Sequence, residues 1–290
     1  LRAPRLLPLQ EAGLNGPKVT PRTMRKLWRK LRRHVFGSDP SYYDMFEHPG
    51  ESFYAGIYLA HIGRHLREHF GQRALDLCDA GCQTGRLAVP LARTGHRVTG
   101  IDASGFALTR AKLHARASGV EIATLRNDLF KAFRRMPASS LDGVISTEVL
   151  YLNRNYREIL TEFRRVLRPE GLLFVSHRHP HYYVAKAVAQ RDYATARFVL
   201  EHGEGEIWGS YYNWQTLAEL RDLYEGLGMK MLGCHPIGIF SGIGEQVLGR
   251  PADPTGMDPA EREELAAIEI AAHPEWQGWG RYGLVVAERE

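Results

Sequence analysis

The chain has 290 residues, 44% of them hydrophobic and 24% charged, with a formal net charge of +5. That content can bury one large domain with additions or two small ones. No apolar run reaches the roughly 18 to 20 residues of a bilayer span, and Cys78, Cys82 and Cys234 are too few and too scattered for a disulfide framework or a four-thiolate zinc site. These features predict a soluble protein of the reducing cytoplasm.

The charge is uneven. Residues 1–40 carry ten Lys or Arg against Glu11 and Asp39, a net of +8, so the remaining 250 residues carry 5 minus 8, or −3. Within this leader Met24, Leu27, Trp28, Leu31 and Val35 recur at helical spacing, and Arg25, Lys26, Arg29, Lys30, Arg32 and Arg33 fill the other faces. A basic amphipathic helix over 22–36 follows. Its apolar stripe could pack on the body of the protein, or its charge could meet an anionic surface, RNA or membrane; no DNA partner is expected, and the oligomeric state stays open.

From residue 41 a single domain is expected. Ser41-Tyr42-Tyr43-Asp44 leads into an apolar helix around Phe53 to Phe70. Strands are predicted near 73–79, 97–101, 121–125, 142–146, 171–176, 229–235 and 282–287, with helices near 84–94, 104–118, 155–167 and 214–226. Alternating strands and helices of this kind give an α/β, doubly wound, mostly parallel sheet covered on both faces. Ligands of such sheets sit beyond the carboxyl ends of the strands, where Asp79, Asp102, Asp128, Thr147, Glu148 and His177 would gather.

Residues 74–104 read ALDLCDAGCQTGRLAVPLARTGHRVTGIDAS. Asp79 closes one strand, Gly81 and Gly85 allow a tight turn, and Asp102 ends the next strand with two acceptor oxygens suited to ribose hydroxyls. The turn Gly81-Cys82-Gln83-Thr84-Gly85 lacks the G-x-G-x-x-G spacing of a dinucleotide fold. Asp79 would repel a pyrophosphate and suit an ammonium and a sulfonium, which favours S-adenosylmethionine over NAD.

These residues resemble the class I S-adenosylmethionine-dependent methyltransferases of small-molecule type, whose first motif runs acid-x-Gly-x-Gly-x-Gly. Asp79, Gly81 and Gly85 match it, while Gln83 stands where the middle glycine is usual. The resemblance continues through Asp102, Asn127-Asp128-Leu129, the segment from Ser146 to Leu150, and Leu167 to Leu173, which is like the L-x-P-G-G turn of the family. It implies seven strands with the last inserted antiparallel, a Rossmann-like methyltransferase fold with helical cap insertions, and an aromatic from the 41–44 flank against the cofactor. The cofactor contacts it implies are Asp79, Gly81, Cys82, Gln83, Gly85, Asp102, Ala103, Asn127, Asp128, Leu129 and Thr147, with Tyr43 from the flank.

Two segments exceed a minimal version of this fold, His177–Trp214 and 241–279, the second with a helix expected over Asp258–Ala272. Long connections of this kind are often lids. Tyr182, Tyr183, Tyr211, Tyr212 and Trp214 would line a covered pocket for a small or medium acceptor, or pin the inserted elements to the body. A general base would come from the rim: His177 first, then Glu148 and Tyr151. The alternate spacing of His177, His179 and His181 invites a metal, but Pro180 breaks the extension and no carboxylate stands in the run, so no metal is expected. The predicted activity is methyl transfer to oxygen or nitrogen of a small molecule. A methyltransferase acting on RNA or a membrane-associated lipid or quinone through the basic helix is the alternative, and Gln83 leaves room for a non-catalytic interaction module.

Overall fold

The computed structural model describes residues 44–242, 252–271 and 278–290. The basic leader with its expected helix, and Tyr42 and Tyr43, lie outside the described residues, as do parts of the second insertion. In chain order the strands are β1 (Asp76–Ala80), β2 (Arg97–Asp102), β3 (Ala123–Arg126), β4 (Leu141–Ser146), β5 (Leu167–His177), β6 (Glu204–Ile207), β7 (Ser210–Asn213), β8 (Met229–Ile237) and β9 (Tyr282–Arg289). The helices are α1 (Pro49–Phe70), α2 (Ala88–Arg93), α3 (Gly105–Ala117), α4 (Leu129–Arg135), α5 (Tyr156–Val166), α6 (Pro180–Ala189), α7 (Tyr193–Glu201), α8 (Leu217–Gly226) and α9 (Pro259–Ile270), with a 3-10 turn at Leu150–Leu152.

Seven strands form one sheet in the order β3-β2-β1-β4-β5-β9-β8, parallel except for β9, which runs antiparallel to both neighbours. The central strands β1, β4, β5 and β9 obey the period of two with both faces buried over most of their length. Leu172 and Phe174 face a core shared with α1, α2 and α3, while Leu173 and Val175 face a second core with α4, α5 and α8. Leu284 and Val286, then Val285 and Ala287, divide in the same way on β9. A strand apolar at every position can be satisfied only between two helical layers, which is why these runs fold as central strands. The chain winds outward from β1 through β2 to β3, then returns to the other side of β1 with β4. The crevice at the carboxyl ends of β1 and β4 is thus the topological switch point.

Local signals set the element ends. His48 precedes α1 with Pro49 in its first turn, and Ser104 caps α3 by accepting from the Ala107 N–H at 3.2 Å. Capping boxes open α8 (Thr216 with Glu219) and α9 (Asp258 with Glu261). Where a helix was predicted over 84–94, α2 begins only at Ala88, because residues 81–87 remain a loop and the Asp79 carboxylate accepts the Ala88 N–H at 3.0 Å. Helix α4 was not foreseen; Asp128 caps it by accepting from Lys131 at 3.1 Å.

The first insertion contains α6, α7 and the hairpin β6–β7, whose two-residue turn, Trp208 and Gly209, has positive φ at both positions (51° and 76°). That geometry matches the twist of the paired strands. The insertion has its own small core, formed by Tyr182, Tyr183, Val199, Ile207 and Trp214. In the second insertion α9 packs against α1, and the buried Glu269 carboxylate accepts backbone N–H groups from Gly238, Phe240 and Ser241. No helix among the described residues is long and apolar enough to cross a membrane.

Candidate cofactor pocket

A cavity of about 390 Å³ opens at the switch point. Asp79 lines it from the end of β1, Gly81, Cys82 and Gln83 from the loop that follows, Asp102 and Ala103 from the end of β2, and Asn127, Asp128 and Leu129 from the segment after β3. Thr147 and Glu148 line it after β4. Gly85 is not among the lining residues; its φ is +87°, and a Cβ there would approach Val89 at 3.1 Å and Ala111 at 3.2 Å, so this glycine lets the loop pass between helices. Gly81 has a tighter constraint. Its φ is also +87°, and a Cβ would come within 2.4 Å of Val149 Cγ2, so the loops after β1 and β4 can meet only over a residue without a side chain.

Gln83 adopts φ 46°, the left-handed region that glycine favours, which accounts for the glycine usual at this position. Its side chain folds back: Oε1 accepts from the Thr84 N–H at 2.8 Å and the Thr84 hydroxyl at 2.9 Å. Thr84 Oγ1 in turn accepts the Phe46 N–H at 3.0 Å, tying the N-terminal flank to the loop. Asp102 organises the same loop, accepting from Gln83 N–H at 3.0 Å and Ser104 N–H at 2.7 Å.

The electrostatics are one-sided. Asp79, Asp102, Asp128 and Glu148 all line the cavity, with Arg86 the basic residue beside them. Burial pushes the Asp79 carboxyl up to about 7, against the opposing pull of Arg86 and the Ala88 N–H. Burial also acts to raise Glu148, but Arg86 and Arg281 outweigh it and hold this carboxyl below its usual range. Arg86, itself 6% exposed, donates to Glu51 on α1 and, at 2.7 Å, to Glu148. Glu148 has φ 63° and donates its N–H to Ser176 Oγ at 2.6 Å. A non-glycine residue held there costs about 1–2 kcal/mol, a strain that tends to collect at functional sites.

The three candidate bases separate sharply. His177 is not brought to the cavity: it is fully buried on the α8 side of the sheet, its Nε2 2.9 Å from the Tyr224 hydroxyl, and burial lowers its pKa to about 3. Its alternate residues in β5 face the second core, so strand parity sends it away from the site. Tyr151 does not line the cavity either, but packs against Arg178, with Tyr212 stacked on it at 6.4 Å. Glu148 does line it, as an ionised carboxylate engaged by Arg86. The aromatics expected around an acceptor pocket, Tyr182, Tyr183, Tyr211, Tyr212 and Trp214, lie outside this cavity. Trp214 donates Nε1–H to the Val199 carbonyl at 3.0 Å, and Tyr211 donates to Glu204, so these two pin the insertion.

The run from His177 to His181 does not stay extended, because α6 begins at Pro180. Among the described residues, Asp44, Glu47 and His114 bring potential metal-ligating atoms within 4.8 Å of one another. Asp44 Oδ2 is already engaged by Arg110 at 2.9 Å and His114 at 2.8 Å, so this is an ion-pair network fixing the flank to α3. Sequence reasoning missed Met45, Arg86, Leu87, Val149, Leu152 and Asn153 in the lining. Arg86 had a signal, as a lone basic residue directly after Gly85; the others are visible only once the loops meet.

Residues 78–175 match the family model described as "Methyltransferase domain". The chain is 33% identical over 131 residues to a ubiquinone biosynthesis O-methyltransferase of Sinorhizobium medicae, covering 41% of this chain and 51% of that protein. It therefore spans about half the length of the curated relatives it matches. Among solved structures it resembles magnesium protoporphyrin IX methyltransferase of Synechocystis PCC 6803 with bound S-adenosylhomocysteine, at TM-score 0.55 and 15% identity over 92% of this chain and 100% of that one. An S-adenosylmethionine-dependent methyltransferase of Methanosarcina mazei aligns at TM-score 0.53 and 17% identity over 78% and 96%. The domain match covers residues 78–175, and the seven-stranded order with its antiparallel β9 is the fold shared with these solved structures.

Proposed function

We propose that the protein transfers a methyl group from S-adenosylmethionine to an oxygen or nitrogen of a small or medium organic molecule. The observation that carries this reading is the cavity at the β1/β4 switch point, lined by acids from the ends of β1, β2 and β3 and the loop after β4. Such a site suits a cationic nucleoside and repels a pyrophosphate. Asp102 would hold the ribose, Asn127 to Leu129 the adenine, and Asp79 the ammonium. The names of the curated relatives as O-methyltransferases support oxygen as the acceptor atom.

When bound, the sulfonium supplies both the methyl group and a good leaving group. The residues of this chain would then align the acceptor and keep water out. Glu148, held ionised by Arg86, contributes negative charge beside the cavity rather than strong basicity. A cytoplasmic setting accords with three buried, unpaired cysteines.

Calorimetry with S-adenosylmethionine tests the reading. The wild-type protein should bind it, and Asp102→Ala should weaken binding by about 1.5–3 kcal/mol through loss of charge-assisted hydrogen bonds. No binding at millimolar cofactor, or tighter binding of NAD, would overturn it. Transfer of an isotopically labelled methyl group from the cofactor to candidate phenols and amines then identifies the acceptor.

A further inference from the structure

Arg178 follows the last residue of β5 and is 5% exposed. Its guanidinium carbon lies 3.8 Å from the ring centroid of Tyr182, 4.2 Å from Tyr282, 4.9 Å from Tyr151 and 5.9 Å from Tyr183. Nη2 donates to the Tyr282 hydroxyl at 2.7 Å, while Nε and Nη1 are buried with no hydrogen-bond acceptor. No ion pair to Arg178 exists among the described residues. Glu148 interacts with Tyr282, but that carboxylate is already held by Arg86 and Arg281.

A buried cation without an acid is costly. The faces of four tyrosines recover part of that cost, yet they accept no conventional hydrogen bond from Nε or Nη1. The cage is also assembled from separate parts of the chain: Tyr151 from the 3-10 turn, Tyr182 and Tyr183 from the first insertion, and Tyr282 from the start of β9. Val149 and Leu152, which flank Leu150 and Tyr151, line the cofactor cavity. The segment from Val149 to Leu152 therefore carries residues of both the cavity and the cage.

We propose that Arg178 and its tyrosine cage bind a carboxylate carried by the methyl acceptor, so that the substrate is a flat organic acid anchored at Arg178 with its acceptor atom toward the cofactor cavity. This rests on the methyl-transfer reading for its substrate role, but the anion subsite is testable by itself. Benzoate and benzamide serve as probes, since they match in shape and differ in charge. With the protein saturated in S-adenosylhomocysteine at pH 8, benzoate should bind at least about tenfold more tightly than benzamide, a difference of about 1.4 kcal/mol. The Arg178 Nε–H resonance should move with benzoate and stay still with benzamide. Arg178→Met should remove the preference, and Arg178→Lys should keep part of it.

Equal affinity for the two probes in the wild-type protein, or an unmoved Arg178 resonance, overturns the proposal even where Arg178→Met fails to fold. A full preference surviving in folded Arg178→Met overturns it too. Binding of S-adenosylhomocysteine without any charge preference removes the anchor alone. A charge preference at Arg178 without cofactor binding leaves the anion subsite standing and removes the methyl-transfer reading.

Discussion

The two halves of the sheet's upper rim follow different rules. Around β1, β2 and β3 the lining residues come from short segments directly after strands, and their carboxylates are held by neighbouring backbone N–H groups: Asp79 by Ala88, Asp102 by Gln83 and Ser104, Asp128 by Lys131. Around β5 and β9 the conspicuous cluster is one arginine inside four tyrosines drawn from three distant parts of the chain. The first arrangement is encoded locally, whereas the second joins an insertion to whatever distant parts of the chain it touches.

The largest effect expected at this divide comes from Arg86, which links α1, the loop after β1 and the loop after β4. Arg86→Met would leave Glu51 and Glu148 without their shared buried cation and should cost about 3–5 kcal/mol of stability. Urea denaturation reads this as a lower midpoint with an unchanged slope. A loss under 1 kcal/mol would show that the two halves of the rim are not coupled through this residue.

The pH dependence is next in size and belongs to the local half. The folded Asp79 carboxyl sits at about 7, above its ordinary 3.8. Its contribution to the stability of the ligand-free fold is complete at acid pH and is lost as the pH rises through about 7. Cofactor binding has the opposite sign: a cation needs the ionised carboxylate, so affinity should fall below pH 7, by up to about tenfold per pH unit. Calorimetry between pH 5.5 and 8.5 should detect proton release on binding at the acid end, and Asp79→Asn should flatten the profile. A flat wild-type profile would remove Asp79 from the site.

The smallest effect should arise at His177. Tyr224→Phe removes the partner of His177 Nε2 and should cost about 1 kcal/mol of stability. Turnover should not change, because both residues lie outside the cavity. A large loss of kcat in a fully folded Tyr224→Phe protein would return His177 to the catalytic candidates.

How much of this was legible depends on the range over which each feature is encoded. The glycines and acids from Asp79 to Asp102 mark their own turn, and the apolar runs mark their own strands. Gln83 shows both the reach and the limit of local reading: its position was identified as the usual glycine, but only the fold reveals φ 46° and a side chain turned onto Thr84. His177 shows where local reading misleads. It ends a strand, as a rim residue should, yet it shares strand parity with Leu173 and Val175 and is buried beneath α8.

The amino-acid order alone determined the seven strands of the main sheet and the acidic turn, because each depends on residues within one or two turns of the chain. The Arg178 cage, the Glu51–Arg86–Glu148 bridge and the closure of Gly81 against Val149 were decided only by tertiary structure. They join residues up to 104 positions apart, and no spacing rule brings such distant residues together until two helical layers have closed on the sheet.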